Sequence, residues 1–190
     1  DRGDAMIDDA LLDATDRMEK ALDALRRDLA TVRTGRASPA LVEHLKVDYY
    51  GAATPLNQLA TISTPDARLI TIQPWDRGSI GAIEKAILKS DIGLNPSNDG
   101  ALIRLAIPQL TEERRREIAK QVRKRAEDAR IALRNIRRDC HESIRRLEHD
   151  HEISQDNLHR AETELQKLTD DHIKEIDKVG HEKEEEVLAV

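Results

Sequence analysis

Between residues 112 and 148 the chain sets a series of cations at helical spacing: Arg116, Lys120, Arg123, Arg130, Arg134, Arg137, Arg138 and Arg145. At 3.6 residues per turn they form one stripe along a rod. All but Lys120 are arginine, whose planar fork of donors matches the oxygens of a phosphate where lysine offers a point charge. Such a stripe grips phosphate backbone; it does not break bonds. Residues 112–148 hold 13 Lys and Arg against 8 Asp and Glu, while the whole chain carries a net charge of −6. The stripe is therefore not the overflow of a basic composition. Aromatic residues are scarce, with one Trp, two Tyr and no Phe. That argues against base-stacking platforms and leaves recognition through phosphates and shape.

Other chemistry is hard to find. The chain has no phosphate-binding Gly-x-x-x-x-Gly-Lys-Ser/Thr loop, no Gly-x-Ser-x-Gly elbow and no His-Glu-x-x-His pair. His149 and His151 stand two apart, so they do not share a helix face, and His141 and His172 are isolated. Asp170 and Asp171 point to different helix faces, and Asp76, Asp91 and Asp99 lie near turns, where they suit caps better than acid–base pairs. The single cysteine, Cys140, falls on an apolar stripe and reads as a buried small hydrophobe. One cysteine allows neither a disulfide framework nor a Cys-based zinc site. The expectation is a non-enzyme with no cofactor and no metal. No apolar run approaches a membrane span, and the acidic start DRGDAMIDDA lacks the apolar stretch of a secretory signal. These features point to a cytoplasmic protein. Met6 reads as a natural start and residues 1–5 as either an upstream extension or a cloning remnant.

The elements that must hold the cations follow from periodicity. Thr111 is a good N-cap, Glu112 and Glu113 suit the first turn, and no Gly or Pro interrupts the next 37 positions. Ile118, Val122, Ala126, Ala129, Leu133, Ile136, Cys140, Ile144 and Leu147 give this helix a packing face beside its basic one. Residues 6–32 form a second amphipathic helix with Leu11, Met18, Leu22, Leu25, Leu29 and Val32 on one seam. Beyond a cap at Ser154, a third helix carries Leu158, Ala161, Leu165, Leu168, His172, Ile176 and Val179. Three such helices predict a three-helix bundle. Residues 1–30 carry 5 Lys and Arg against 9 Asp and Glu, and residues 149–190 carry 5 against 13. Two acidic helices thus flank the basic one, and the expectation is that they face away from the phosphate ligand.

Between the first two helices the pattern changes. Strands are expected at Leu45–Tyr49, closed by a Tyr50-Gly51 turn, at Leu59–Ser63, at Leu69–Ile72 and at Leu102–Ile107. Ser79 is read as the cap of a short helix bearing Ile80, Ile83, Ala86 and Ile87, and residues 93–100 as a loop. The fold class is α+β, with domain I at residues 1–33 and 107–190 and a small β/α/β domain II inserted at 34–106. The two crossings, at Arg33, Thr34, Gly35 and Arg36 and at Leu105, Ala106, Ile107 and Pro108, are read as a hinge.

Several blocks in order resemble the ribosome recycling factor family: Arg33-Thr34-Gly35-Arg36-Ala37-Ser38-Pro39, Val47-Asp48-Tyr49-Tyr50-Gly51, Pro74-Trp75-Asp76-Arg77, Ser90-Asp91-Ile92-Gly93-Leu94-Asn95-Pro96 and Arg134-Asn135-Ile136-Arg137-Arg138. The resemblance implies an L-shaped molecule, an elongated bundle jointed to the smaller domain. It implies binding to the ribosome after termination and, with elongation factor G and GTP, splitting of that complex into subunits. It implies no catalysis by the chain itself, which acts as a monomer. The arginine-rich face is implied to contact large-subunit rRNA, with Arg134 first, Arg130 one turn before it, Arg137 and Arg138 one turn after, and Arg123, Arg116 and Lys120 further along the stripe. Arg33 and Arg36 are placed at the hinge.

Overall fold

A computed structural model describes residues 1–189. The chain forms two compact units, the first from residues 1–29 with the chain from Ala119 onward, the second from Ala30–Ile118. Three long helices, α1 (Arg2–Ala30), α3 (Glu112–His149) and α4 (Gln155–Leu188), supply the first unit, and the short α2 (Ile80–Lys89) lies in the second.

Within the first unit each long helix touches the other two. Arg17 pairs with Asp139 at 3.2 Å and Arg125 with Asp28 at 3.1 Å, so α1 and α3 run antiparallel. Arg130 pairs with Asp177 at 2.7 Å and His141 stands 3.6 Å from Glu162, so α3 and α4 are antiparallel too. Met18, Leu22, Leu25 and Leu29 of α1, Val122, Leu133, Ile136 and Ile144 of α3, and Ala161, Leu165 and Ile176 of α4 are buried, which is the seam that the sequence pattern requires. Two members of the α4 seam escape the pattern. Thr169 is buried because its hydroxyl donates to the Leu165 carbonyl at 2.8 Å, which satisfies it within its own helix. Gly180 is buried because α3 comes so near that a Cβ there would stand 3.1 Å from the Ala126 methyl. Cys140 is buried, and its thiol, pushed up to about 11 chiefly by burial, is a packing group.

The first helix begins at Arg2, not near Met6, so residues 2–5 belong to its opening turn. Gly3 is buried there; a Cβ would lie 2.9 Å from the Glu152 carbonyl in the turn that joins α3 to α4. That turn closes with His151 at φ 61°, and Ser154 caps α4 by accepting from the Asn157 amide at 3.1 Å.

The second unit holds a hairpin, β1 (Lys46–Tyr49) with β2 (Ala52–Pro55), and an antiparallel sheet of order β3-β4-β6-β5, from β3 (Ala60–Asp66), β4 (Leu69–Pro74), β5 (Pro96–Asn98) and β6 (Ile103–Ala106). Tyr49 pairs with Ala52 across a loop of Tyr50 (φ 50°) and Gly51 (φ 84°), the two-residue mirror-image turn that matches strand twist. β2 and β5 were not expected: Ala-Ala-Thr-Pro and Pro-Ser-Asn lack an alternating pattern, and both strands are recruited by register with a neighbour. Ser79 does not cap α2 with its side chain. Its hydroxyl donates to the Asp76 carbonyl at 2.6 Å, and the Asp76 carboxylate caps the 3-10 turn Arg77–Ser79 that leads into α2 by accepting from the Gly78 amide at 2.9 Å. Val47, Leu56, Ile70, Ile72, Ile83, Ile87, Ile103 and Leu105 fill the core between α2 and the strands.

Candidate nucleic-acid interface

The basic stripe stands on the best-specified helix in the chain. Thr111 accepts from the Arg114 amide at 3.1 Å, and Glu112 and Glu113 occupy the first turn. Burial of Val122, Ala126, Leu133 and Ile144 then fixes the rotation of the rod, and the cations on the other side stay at the surface. Lys120, Arg123, Arg134 and Arg138 are exposed, and Arg130 and Arg137 are half-buried. Arg116 is exposed as well, but it precedes Ala119 and belongs to the second unit.

Most of these cations have partners. Arg116 meets Glu112 one turn back at 2.6 Å. Arg123 is paired with Glu184 of α4. Arg130 is clamped twice, by Glu127 at 2.8 Å and Asp177 at 2.7 Å, with 25% of its side chain exposed. Arg134 shares Glu127 at 3.3 Å and is 52% exposed. Hydrogen bonds from Arg130 first and Arg134 second hold the Glu127 carboxyl below its ordinary 4.5. Arg137 donates to the neutral Gln166 amide oxygen at 2.8 Å. Among the described residues Lys120 and Arg138 make no ion pair. The third helix therefore does not turn its charge away from the stripe: α4 lies alongside and supplies Asp177 and Glu184 as counter-ions. The sequence could not show this, because helical periodicity gives the angle of a residue about its own axis, not which neighbour it meets.

Beside Arg134, Arg137 and Arg138 the surface opens into a groove of about 1030 Å³ between α3 and α4. His159, Lys167 and Lys174 of α4 line its other side, three residues that the reading of the stripe overlooked. The signal was present: Lys167 and Lys174 stand seven apart, two turns on one face. It was masked by the acidity of the segment around them.

The residues read as a hinge all lie in the second unit. Arg33, Thr34 and Gly35 are half-buried and Arg36 is exposed, in a stretch without regular structure where Gly35 holds φ 79°. Leu105 and Ile107 are buried in the core, and Leu105 pairs with Ile70 and Ala106 with Leu69 in the sheet. Pro108 is exposed and lies in the irregular run from Ile107 to the Thr111 cap. No cluster of His, Cys, Asp and Glu fit to hold a metal occurs among the described residues, and none of their helices is long and apolar enough to cross a membrane.

A family model described as Ribosome recycling factor matches residues 25–188. The chain belongs to the ribosome recycling factor family. The ribosome-recycling factors of Carboxydothermus hydrogenoformans and Syntrophomonas wolfei are each 56% identical to it over 185 residues, 97% of this chain and 100% of theirs. A solution structure of a ribosome recycling factor superposes with a TM-score of 0.82 at 46% identity, covering 97% of this chain and 98% of that one. A second solved structure, models for the T. thermophilus ribosome recycling factor and the E. coli elongation factor G bound to the E. coli post-termination complex, matches with a TM-score of 0.69 at 46% identity, covering 96% of this chain and 99% of that one. Ribosome recycling factors are non-enzymatic translation factors, and the α+β architecture described above is theirs.

Proposed function

We propose that this chain binds the post-termination ribosome through the arginine face of α3 and, with elongation factor G and GTP, promotes its splitting into subunits. The observation that carries the RNA contact is the exposure of the stripe. Arg123, Arg134 and Arg138 face solvent along a helix whose other side is locked into the bundle. Their carboxylate partners do not disable them. An exposed ion pair contributes only about 0.2–1 kcal/mol, whereas arginine on phosphate forms paired charge-assisted bonds and releases condensed counter-ions. Phosphate oxygens can therefore displace Glu127 and Glu184 at small cost. Arg134 is the leading contact because it is half exposed and held by one long bond; Arg130, clamped twice, sets the position of Glu127 and α4. Arg137, Lys120 and Arg116 extend the contact.

The joint is proposed at the two irregular stretches, residues 31–36 and 108–111, with Leu105 and Ile107 anchoring the strand end from which the second crossing leaves. Hinges need only a few residues that absorb backbone rotation. Force would come from the GTPase, since the chain itself offers grip and a joint. The setting is cytoplasmic and the acting form a monomer.

The test is breakdown of polysomes by purified elongation factor G and GTP, with and without this protein, together with co-sedimentation with ribosomes across a salt series. Breakdown that depends on the protein, and Arg134→Ala weakening binding and lowering the salt slope by about one, are the expected results. Wild-type affinity and slope in Arg134→Ala would remove the stripe from the contact.

A further inference from the structure

We infer that the nucleic-acid site is two-sided: Lys167 and Lys174 of α4 form a second lip that grips the same RNA backbone as Arg134, Arg137 and Arg138 of α3. This rests on the rRNA-binding reading of the α3 stripe and extends it to a helix that the charge pattern sets aside as acidic.

The groove carries the case. Five Lys and Arg side chains and three carboxylates line it, in a chain of net charge −6 whose α4 segment is more acidic still. Of the three carboxylates, Asp170 accepts from the Gln166 amide at 2.8 Å, and Glu162 stands 3.6 Å from the His141 ring. Lys167, Lys174 and Arg138 are exposed and make no ion pair among the described residues. Free cations thus stand on both sides of one open channel, and a polyanion laid along it meets donors from two directions.

The floor is fitted to this use. Arg137 donates to Gln166 at 2.8 Å and Gln166 in turn donates to Asp170, so a chain of hydrogen bonds crosses from α3 to α4 and fixes the spacing of the two lips. Lys167 and Lys174 are two turns apart, about 10 Å along the helix, which spreads their charge along the groove.

The other flank of α4 shows the contrast. A hollow of about 420 Å³ between α1 and α4 is lined by Glu19, Asp23, Asp171 and Glu175 against Arg26 as its one Lys or Arg. One helix therefore separates a channel rich in cations from one rich in carboxylates. RNA is drawn to the first and repelled from the second, which fixes the face that the bundle presents. The chemistry is that of a phosphodiester backbone, and no Phe, Tyr or Trp lines the groove as a stacking platform.

The test compares four forms of the full chain for binding to purified 70S ribosomes over a salt series: wild type, Arg134→Ala, the lip variant Lys167→Ala with Lys174→Ala, and the control Lys20→Ala with Arg27→Ala. Lys20 and Arg27 are exposed on α1 and outside the groove, so the control removes the same two positive charges without touching the lip. Helical circular dichroism checks that each variant is folded. The lip variant is expected to bind more weakly and to lower the log–log salt slope by about 1.4–1.8, two phosphate contacts' worth, while the control stays at wild type. A lip variant indistinguishable from wild type beside a weakened Arg134→Ala overturns the second lip and leaves the α3 reading standing. No loss in either overturns both. Equal losses in the lip variant and the control assign the effect to net charge and overturn the groove.

Discussion

Arg130 and Arg134 stand one turn apart on α3 and share Glu127, yet their surroundings separate their roles. Arg130 is held by two carboxylates, one of them on α4, and Arg134 by one at 3.3 Å. Arg130→Ala is therefore expected to register in stability: loss of two part-exposed pairs lowers the melting temperature by a few degrees. Arg134→Ala should leave melting unchanged and register in ribosome affinity. A melting curve beside a binding curve for each variant separates them. Asp76 is a second residue whose partners set its behaviour. The Gly78 amide, then the Tyr49 hydroxyl at 3.2 Å, hold its carboxyl below the ordinary 3.8, with Tyr50 adding a third bond. A carboxylate favoured in the folded state stabilises it above the ordinary aspartate range, and that contribution is lost as pH falls through the depressed value. Asp76→Asn should therefore lose less stability than wild type as pH falls below the ordinary aspartate range, a difference followed by Trp75 fluorescence.

At the scale of elements, the contact between α3 and α4 decides most. Gly180 lets the two helices approach, since a Cβ there would lie 3.1 Å from the Ala126 methyl. Gly180→Val would place branched bulk against that methyl, and overpacking of a tight contact costs about 1–3 kcal/mol. A drop in urea midpoint is expected, with binding to ribosomes weakened through the misplaced groove; a midpoint at or above wild type would show that α4 can shift outward freely. The helices were legible in the sequence because each carries a long seam with marked ends: Thr111 and Ser154 cap as their types suggest. Boundaries and short strands were less so. α1 reaches back to Arg2 because Gly3 packs on the α3–α4 turn, and β5 exists because Ser97 and Asn98 pair with Arg104 and Ile103. Neither cause is local to the residues it governs.

For the whole molecule, the proposal is that grip and movement are assigned to different residues. Gly35 at φ 79° lies in the region that L side chains rarely adopt, at a cost of about 1–2 kcal/mol. Gly35→Ala should change polysome breakdown more than ribosome binding: affinity within about twofold of wild type, with a lower rate of breakdown in the presence of elongation factor G and GTP. Unaltered breakdown would take residues 31–36 out of the joint. The sequence by itself determined the three amphipathic helices, the inserted β/α unit, the arginine face and, through ordered motifs, the family, because periodicity, caps and turn residues are written locally. Only the tertiary structure decided which charges meet: that Asp177 and Glu184 sit on the stripe, that Lys167 and Lys174 face it across a groove, and that Leu105 and Ile107 are core. Those are relations between elements distant in the chain, fixed by how buried faces turn toward one another, and no pattern along a single helix contains them.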